Sequence, residues 1–335
     1  MANKTTRRRC LITGGAGFVG FHLAQNLLAD EATDVTLADN FVRGRQDEDF
    51  DRLRADSRVR IITGDICEPS FYSQLAGQSF DEVYHLAAII GVKNVLERPR
   101  DVIRVNGMGT LALLDWFVES DSGKLLFSST SEAYAWTRSF FDLPIPTPED
   151  VPLALTDLKN PRASYAGSKI FGELAVNHYC QQFDKPFAIV RYHNVYGPRM
   201  GFEHVIPELF QRSLSGEDPL VVFSPHHQRA FCYVDDAIRA TVAAMRDPRG
   251  DNLTINVGND EEEIEIGDLA RRILARVRPG GTIEPREAAN DPISRRCPDI
   301  SLARERLDFQ PQVSLDDGLE RTLAWYGHCL KTKAA

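Results

Sequence analysis

The stretch Thr13-Gly14-Gly15-Ala16-Gly17-Phe18-Val19-Gly20 decides the fold, because a strand pattern leads into it and a helix pattern leads out. Upstream, Cys10-Leu11-Ile12-Thr13 reads as a buried strand; downstream, Phe18 to Ala29 reads as an amphipathic helix. Gly14 permits the tight turn, Gly17 lets the backbone approach a pyrophosphate, and Gly20 allows close helix–strand packing. The start of the helix, with Phe18 and Val19, supplies a partial positive charge to an anion.

Further along, short apolar runs alternate with helical stretches. Val35–Ala38, Val59–Ile62, Glu82–Leu86, Lys124–Ser128 and Phe187–Val190 read as strands. Asp101 to Ser120 and Ser164 to Phe183 read as helices. Continuously apolar strands separated by helices indicate a parallel sheet covered on both faces, a doubly wound α/β fold of the Rossmann type. Asp39 closes the second strand nineteen positions past Gly20, where a carboxylate accepts hydrogen bonds from an adenosine ribose and repels a 2′-phosphate. NAD is therefore expected over NADP, although Arg43 and Arg45 follow closely. Asn40 belongs to the same cofactor edge. Asp65, with Ile66, is placed either to meet the adenine or to cap a helix. Leu86 and the small Ala87 and Ala88 leave room for the dinucleotide beside the fourth strand.

After about Tyr196 prolines punctuate shorter elements, Pro292 among them, as in a smaller, loop-rich lobe. The expected division is a dinucleotide-binding domain over 1–195 with a returning segment at about 232–262, and an interleaved substrate-binding lobe over 196–231 and 263–335. Trp136 to Arg162, rich in proline, reads as a functional lid. At 335 residues the chain suits one large or two modest domains, and its net charge of -9 argues against a nucleic-acid partner. Six scattered cysteines without a CxxC pair favour no metal and a reducing cytoplasm. No apolar run is long enough to span a bilayer, so no membrane association is expected.

Tyr165 and Lys169, in SYAGSK, lie four residues apart on one helix face. Together with Thr130 in SSTSE they describe a site in which a phenol acts as acid and base, its pKa lowered by the ammonium. TGGAGFVG, Asp39-Asn40, HLAA, SSTSEAY, YAGSK and RYHNVYGPR occur here in the order that resembles extended short-chain dehydrogenase/reductases acting on nucleotide sugars. The resemblance spans essentially the whole chain. It implies a tightly held NAD that oxidises a hydroxyl of a nucleoside-diphosphate sugar, usually at carbon 4.

By the same resemblance, Tyr165 takes the hydroxyl proton, Lys169 holds the nicotinamide ribose, and Thr130 orients the reacting oxygen. Asn106 supports that network, and Tyr192 lines the cofactor site. Ser131 and Asn194 meet the substrate, and Arg229 in HHQRAF and Arg296 in RRCPDI meet its diphosphate, which guanidinium forks match in shape. Glu132 resembles the base of nucleotide-sugar 4,6-dehydratases and the TSE of UDP-glucuronate decarboxylases; alternatively it is an inward carboxylate holding substrate or lid. Departures are the Ala133-Tyr134-Ala135-Trp136 run in place of VYG, Ser131 where dehydratases carry aspartate, and YAGSK where decarboxylases carry YDEGK. Epimerisation at carbon 4 needs the fewest extra groups and is the leading expectation, with decarboxylation, dehydration, simple 4-dehydrogenation and an NAD-binding regulator as alternatives. The resemblance also implies a homodimer through a four-helix bundle, with Leu111, Leu113, Leu114, Phe117, Ile170, Leu174 and Tyr179 supplying apolar surface.

Overall fold

The computed structural model describes residues 7–137, 141–288 and 295–334. Residues 138–140 of the proline-rich excursion and Pro292 lie outside them. Among the described residues no helix is long and apolar enough to cross a membrane.

Six strands, β1 (Arg8–Thr13), β2 (Thr33–Asp39), β3 (Val59–Thr63), β4 (Glu82–His85), β5 (Lys124–Thr130) and β6 (Phe187–Tyr192), join Leu253–Val257 in one seven-stranded sheet. The order is Leu253–Val257, β6, β5, β4, β1, β2, β3, and β3-β2-β1-β4-β5 pair in parallel. The order reverses beside β1, the crevice where open α/β sheets bind ligands outside the carboxyl ends of their strands. Every residue of β5 is buried, as a central strand covered on both faces must be.

The Gly-rich turn leads into α1 (Phe18–Leu28) as the sequence pattern predicts. The single helix expected over 101–120 is instead α2 (Pro99–Ile103), a π-helical turn over Arg104–Met108, and α3 (Gly109–Glu119). A short α4 (Glu132–Ala135) follows β5, and α5 (Ala163–Gln182) precedes β6. One core cluster fills the space between sheet and helices, with Leu113, Leu114 and Phe117 of α3 fully buried against Leu11, Val83 and Leu125. These three side chains are thus committed to their own core, so they do not supply the outward surface expected of them. Of the seven residues in that expectation only Leu174 is open, at 55%.

The chain divides into two compact units: 1–140, 152–191 and 238–255 form the first, and 141–151, 192–237 and 256–335 the second. The returning segment is shorter than 232–262, and 141–151 belongs to the second unit. Thr147 explains the latter: its amide donates to the Cys297 carbonyl at 2.9 Å and its carbonyl accepts from the Asp299 amide at 2.9 Å.

Candidate functional site

In the first unit the Gly-rich turn is held where side chains do not fit. Gly14 has φ +73, and a Cβ there would sit 2.8 Å from the Ala87 amide nitrogen. A Cβ on Gly20 would lie 2.3 Å from the Gly14 carbonyl oxygen. The turn therefore stays flush with the end of β4 and with the start of α1, leaving backbone alone to meet a ligand. Asp39 closes β2 and accepts from the Ala16 amide at 2.9 Å and the Phe41 amide at 2.8 Å. Burial raises its pKa, and those amide hydrogen bonds oppose the rise. Asn40 is exposed and accepts from the Val42 amide, while Asp65 accepts from the Cys67 amide at 2.9 Å in a tight turn. Neither is a helix cap. Ile66 is buried and packs into the core, so only its backbone is available to a ligand. Leu86, Ala87 and Ala88 follow β4 half-buried. Turn, acid and small residues together fit a dinucleotide.

The second cluster lies at the carboxyl end of β5 and on the face of α5. Thr130 and Tyr165 are hydrogen-bonded through their hydroxyls. Thr130 Oγ1 also accepts from the Glu132 amide at 3.2 Å, and Ser131 is buried between them. Lys169 is 4% exposed; its Nζ donates to the Ser128 carbonyl at 2.7 Å and sits 4.9 Å from the centre of the Phe127 ring. Gly172 permits this approach of helix to strand, since a Cβ there would meet Phe127 Cζ at 2.3 Å.

The lysine does not lower the tyrosine pKa as expected. Burial pushes Tyr165 up to about 12, the Glu132 charge adds to the rise, and only the Thr130 hydrogen bond and Arg43 oppose it. The reason is the direction of Nζ, which is turned to the Ser128 carbonyl and the Phe127 ring. Burial likewise brings Lys169 down to about 8, with Glu173 holding it up. Burial thus favours the neutral form of both groups, and no ion pair joins them.

Asn106, on the π turn, receives the Ile89 amide at 2.8 Å and donates to the Ile89 carbonyl and to Ser168 Oγ, both at 3.1 Å. Ser168 in turn donates to the Tyr165 carbonyl at 2.8 Å. The extra residue of a π turn is what aims Asn106 at both the β4 loop and α5. His85, beneath, is sandwiched by Thr13 at 2.8 Å and Thr110 at 3.0 Å. Thr110 donates to the Asn106 carbonyl, so its oxygen must accept from His85 Nε2–H, which leaves Nδ1 to accept from Thr13. Burial, then Lys169, holds His85 down to about 3, so the ring is a neutral spacer.

Sequence reasoning missed the layer behind the lysine. Glu173, one turn on from Lys169, receives Arg191 Nε at 2.9 Å, Arg191 Nη2 at 2.6 Å and the Ser129 hydroxyl. Arg191 Nη1 also donates to Tyr134 at 2.6 Å. The available signal was the Tyr165-Lys169-Glu173 spacing, three polar residues on one helical face.

In the second unit Arg229 and Arg296 are direct register partners on parallel strands, Gln228–Ala230 and Arg295–Arg296. Their neighbour Arg295 is matched by Glu263, at 2.8 Å through two nitrogens. Guanidinium groups on register-paired positions offer forked donors of the kind that suit an anion's oxygens. Asn194 adopts a left-handed backbone, φ 42, and donates to the Ala230 carbonyl at 2.8 Å. Tyr192 ends β6 half-buried. Among the described residues no group of His, Cys, Asp and Glu side chains is arranged to hold a metal.

Comparison with known proteins matches residues 10–258 to the model described as the NAD dependent epimerase/dehydratase family. UDP-N-acetyl-alpha-D-glucosaminuronate decarboxylase of Bacillus cytotoxicus is 35% identical over 329 residues, covering 96% of this chain and 98% of the relative. UDP-glucuronic acid decarboxylase 1 of Xenopus tropicalis is 32% identical, over 98% of this chain and 74% of the relative. Among solved structures, the Bacillus cereus UDP-glucuronic acid 4-epimerase in complex with UDP-glucuronic acid and NAD superposes with a TM-score of 0.84 at 29% identity, over 96% of this chain and 99% of that one. The Thermotoga maritima UDP-glucose 4-epimerase with UDP-glucose gives 0.84 at 26%, over 96% and 99%.

Proposed function

The chain belongs to the NAD dependent epimerase/dehydratase family and is an NAD-dependent enzyme of the short-chain dehydrogenase/reductase type, and from that premise we propose that it oxidises carbon 4 of a UDP-hexuronate and releases carbon dioxide from the product. The observation that carries the choice of substrate is that two relatives sharing about a third of their residues over nearly the whole of this chain are decarboxylases of UDP-uronates. Chemistry supports the choice of outcome. A hexuronate oxidised at carbon 4 is a β-keto acid, whose carbon 5–carbon 6 bond breaks with its electron pair delocalised onto the carbon 4 oxygen. Loss of carbon dioxide therefore requires no group beyond those that serve oxidation and return of a proton.

In this reading NAD, when bound, would supply the two-electron acceptor for the carbon 4 hydrogen and, once carbon dioxide has left, the donor that returns the same hydrogen to carbon 4. The Gly14–Gly20 turn holds its pyrophosphate, with Phe18 and Val19 at the helix start. Asp39 and Asn40 meet its adenosine ribose, Asp65 and Ile66 its adenine, and Leu86, Ala87, Ala88, Asn106 and Tyr192 line the remainder. Tyr165 takes the carbon 4 hydroxyl proton, and Thr130 and Ser131 fix the oxygen in reach of it. Burial alone keeps Tyr165 protonated, so this role requires the Lys169 ammonium to turn from the Ser128 carbonyl and offer its charge to the tyrosinate and a donor to the ribose. Glu132, whose charge already bears on Tyr165, steers the proton returned to carbon 5. Asn194, Arg229 and Arg296 take the diphosphate. The second unit is then the nucleotide-sugar lobe, and the first the dinucleotide domain.

A second reading, 4-epimerisation of the same UDP-uronate, is favoured by the likeness to the Bacillus cereus 4-epimerase. In that case the protein must keep carbon 6 from departing while the sugar presents its other face. Incubating the pure protein and NAD with UDP-glucuronate, UDP-N-acetylglucosaminuronate and UDP-glucose, and analysing products by mass and NMR, separates the readings. Release of carbon dioxide from either uronate, with UDP-glucose untouched, is the expected result; conversion of UDP-glucose alone would overturn the uronate assignment.

We also infer a homodimer. Supporting it is an open apolar face formed by Ile103, Met108, Phe171 and Leu174, 58%, 55%, 39% and 55% exposed. Such a face on a folded unit marks an association surface. A monomeric mass by light scattering at micromolar concentration would rule it out.

A further inference from the structure

We propose that Glu173, clamped by Arg191, is a positioning residue for the Thr130–Tyr165–Lys169 site: it fixes the strand end that carries Thr130 and keeps a negative charge one helical turn behind Lys169. The inference rests on the catalytic roles given to those three residues above, but its electrostatic half can be measured without turnover.

The geometry is specific. Glu173 and Arg191 are 6% and 5% exposed, a bidentate pair sealed from water. One carboxylate oxygen is shared with the Ser129 hydroxyl, and Ser129 directly precedes Thr130 on β5. The guanidinium spans onward to Tyr134, on the short helix that begins with Glu132, and lies 4.9 Å from the Tyr134 ring centre. One ion pair thus ties together α5, β5, α4 and β6, the four elements that carry or flank Tyr165, Lys169, Thr130 and Glu132. A buried ion pair is weak grounds for stability, because desolvation offsets much of the attraction. What a rigid, fully hydrogen-bonded network gives is a fixed geometry.

The charge matters separately. Lys169 has lost solvent, and burial works to discharge it; the Glu173 carboxylate is what opposes that. The other titratable or charged groups around the lysine do not substitute for it. Tyr165, on the same helix, keeps its proton at neutral pH, and His85, from β4, stays neutral. Arg191, from β6, is cationic and is spent on Glu173; Glu132 and Tyr134, from α4, act on Tyr165 and Arg191.

The test compares Glu173→Gln and Ser129→Ala in the full chain. The Lys169 titration is followed by NMR of 13Cε-labelled lysine, its signal assigned by loss in Lys169→Met, alongside kcat and KM. Wild type should titrate near pH 8. Glu173→Gln should move that midpoint to lower pH and lower kcat about a hundredfold, with KM unchanged within about threefold, as displacement rather than lost binding requires. Ser129→Ala should leave the midpoint in place and lower kcat by about tenfold. If Glu173→Gln does not fold, Glu173→Leu/Arg191→Met, which removes both charges together, takes its place with the same expected kcat and a smaller downward shift of the midpoint, since a cation is lost with the carboxylate. An unmoved midpoint, or kcat unchanged in both variants, would overturn the proposal. A wild type that turns over no UDP-uronate but shows the midpoint shift would instead sink the substrate reading and leave the positioning charge standing.

Discussion

Two buried carboxylates sit at opposite ends of the same sheet, and they do different work. Glu82 opens β4 at the amino end and is 3% exposed. It gathers Arg8 at 2.5 Å, Arg246 at 2.8 Å, Tyr84 at 2.8 Å and Cys10 at 3.2 Å. Glu173 gathers Arg191 and Ser129 at the carboxyl end, beside Lys169. Both satisfy a buried charge with guanidinium and hydroxyl groups. Yet only the carboxyl ends of parallel strands face the ligand crevice. The same chemistry is therefore structural at one end and functional at the other, and position on the sheet decides which.

The widest separation between the two ends should come from Tyr165→Phe. Removing the phenol oxygen should cost about 10³–10⁴ in kcat while leaving the thermal midpoint within a degree or two, read by steady-state kinetics and calorimetry. Glu82→Gln should do the reverse. Leaving Arg8 and Arg246, both reached by solvent, facing a neutral amide should cost about 1–3 kcal/mol in a denaturant titration, with kcat per folded molecule unchanged. If Glu82→Gln lowered kcat in fully folded protein, the division between the two ends would fail.

Lys169→Met sharpens the contrast from the other side. The folded chain binds this proton less tightly than the unfolded chain, so the buried ammonium opposes folding at pH 7. The variant should be inactive yet more stable by about 2 kcal/mol at pH 7. That gain should shrink as pH rises from about 8 to the ordinary lysine value, where both states shed the proton. Last and smallest is His85. Its folded value of about 3 lies below the ordinary 6.5, so the unfolded chain takes up protons first on acidification. Wild-type stability should fall as pH drops from 6.5, by up to about 1.4 kcal/mol per pH unit, and His85→Gln should flatten that slope. Urea titrations at stepped pH values read both effects.

The sheet was accessible from sequence because its signals are local: apolar strands, a Gly-rich turn, and Asp39 at a fixed remove. Tyr165, Lys169 and Thr130 were equally accessible, since one motif each carries them. What escaped depends on tertiary placement. Periodicity cannot show the extra residue of the π turn, so Asn106 was named without the geometry that aims it at Ile89 and Ser168. Leu113, Leu114 and Phe117 share a face with nothing in their spacing to say whether it meets a sheet or a partner. The expected pKa effect of Lys169 on Tyr165 failed because burial and the direction of one ammonium are not written in a four-residue spacing. Residues 141–151 joined the second unit through backbone hydrogen bonds of Thr147, a pairing without local signature.

The decisive measurement uses UDP-glucuronate deuterated at carbon 4. With the pure protein and catalytic NAD, the UDP-pentose product should carry its deuterium at carbon 4 and take a solvent hydrogen only at carbon 5, with carbon dioxide released. Deuterium lost to water from carbon 4, or carbon dioxide released without NAD, would contradict oxidation at that carbon by the Tyr165 site.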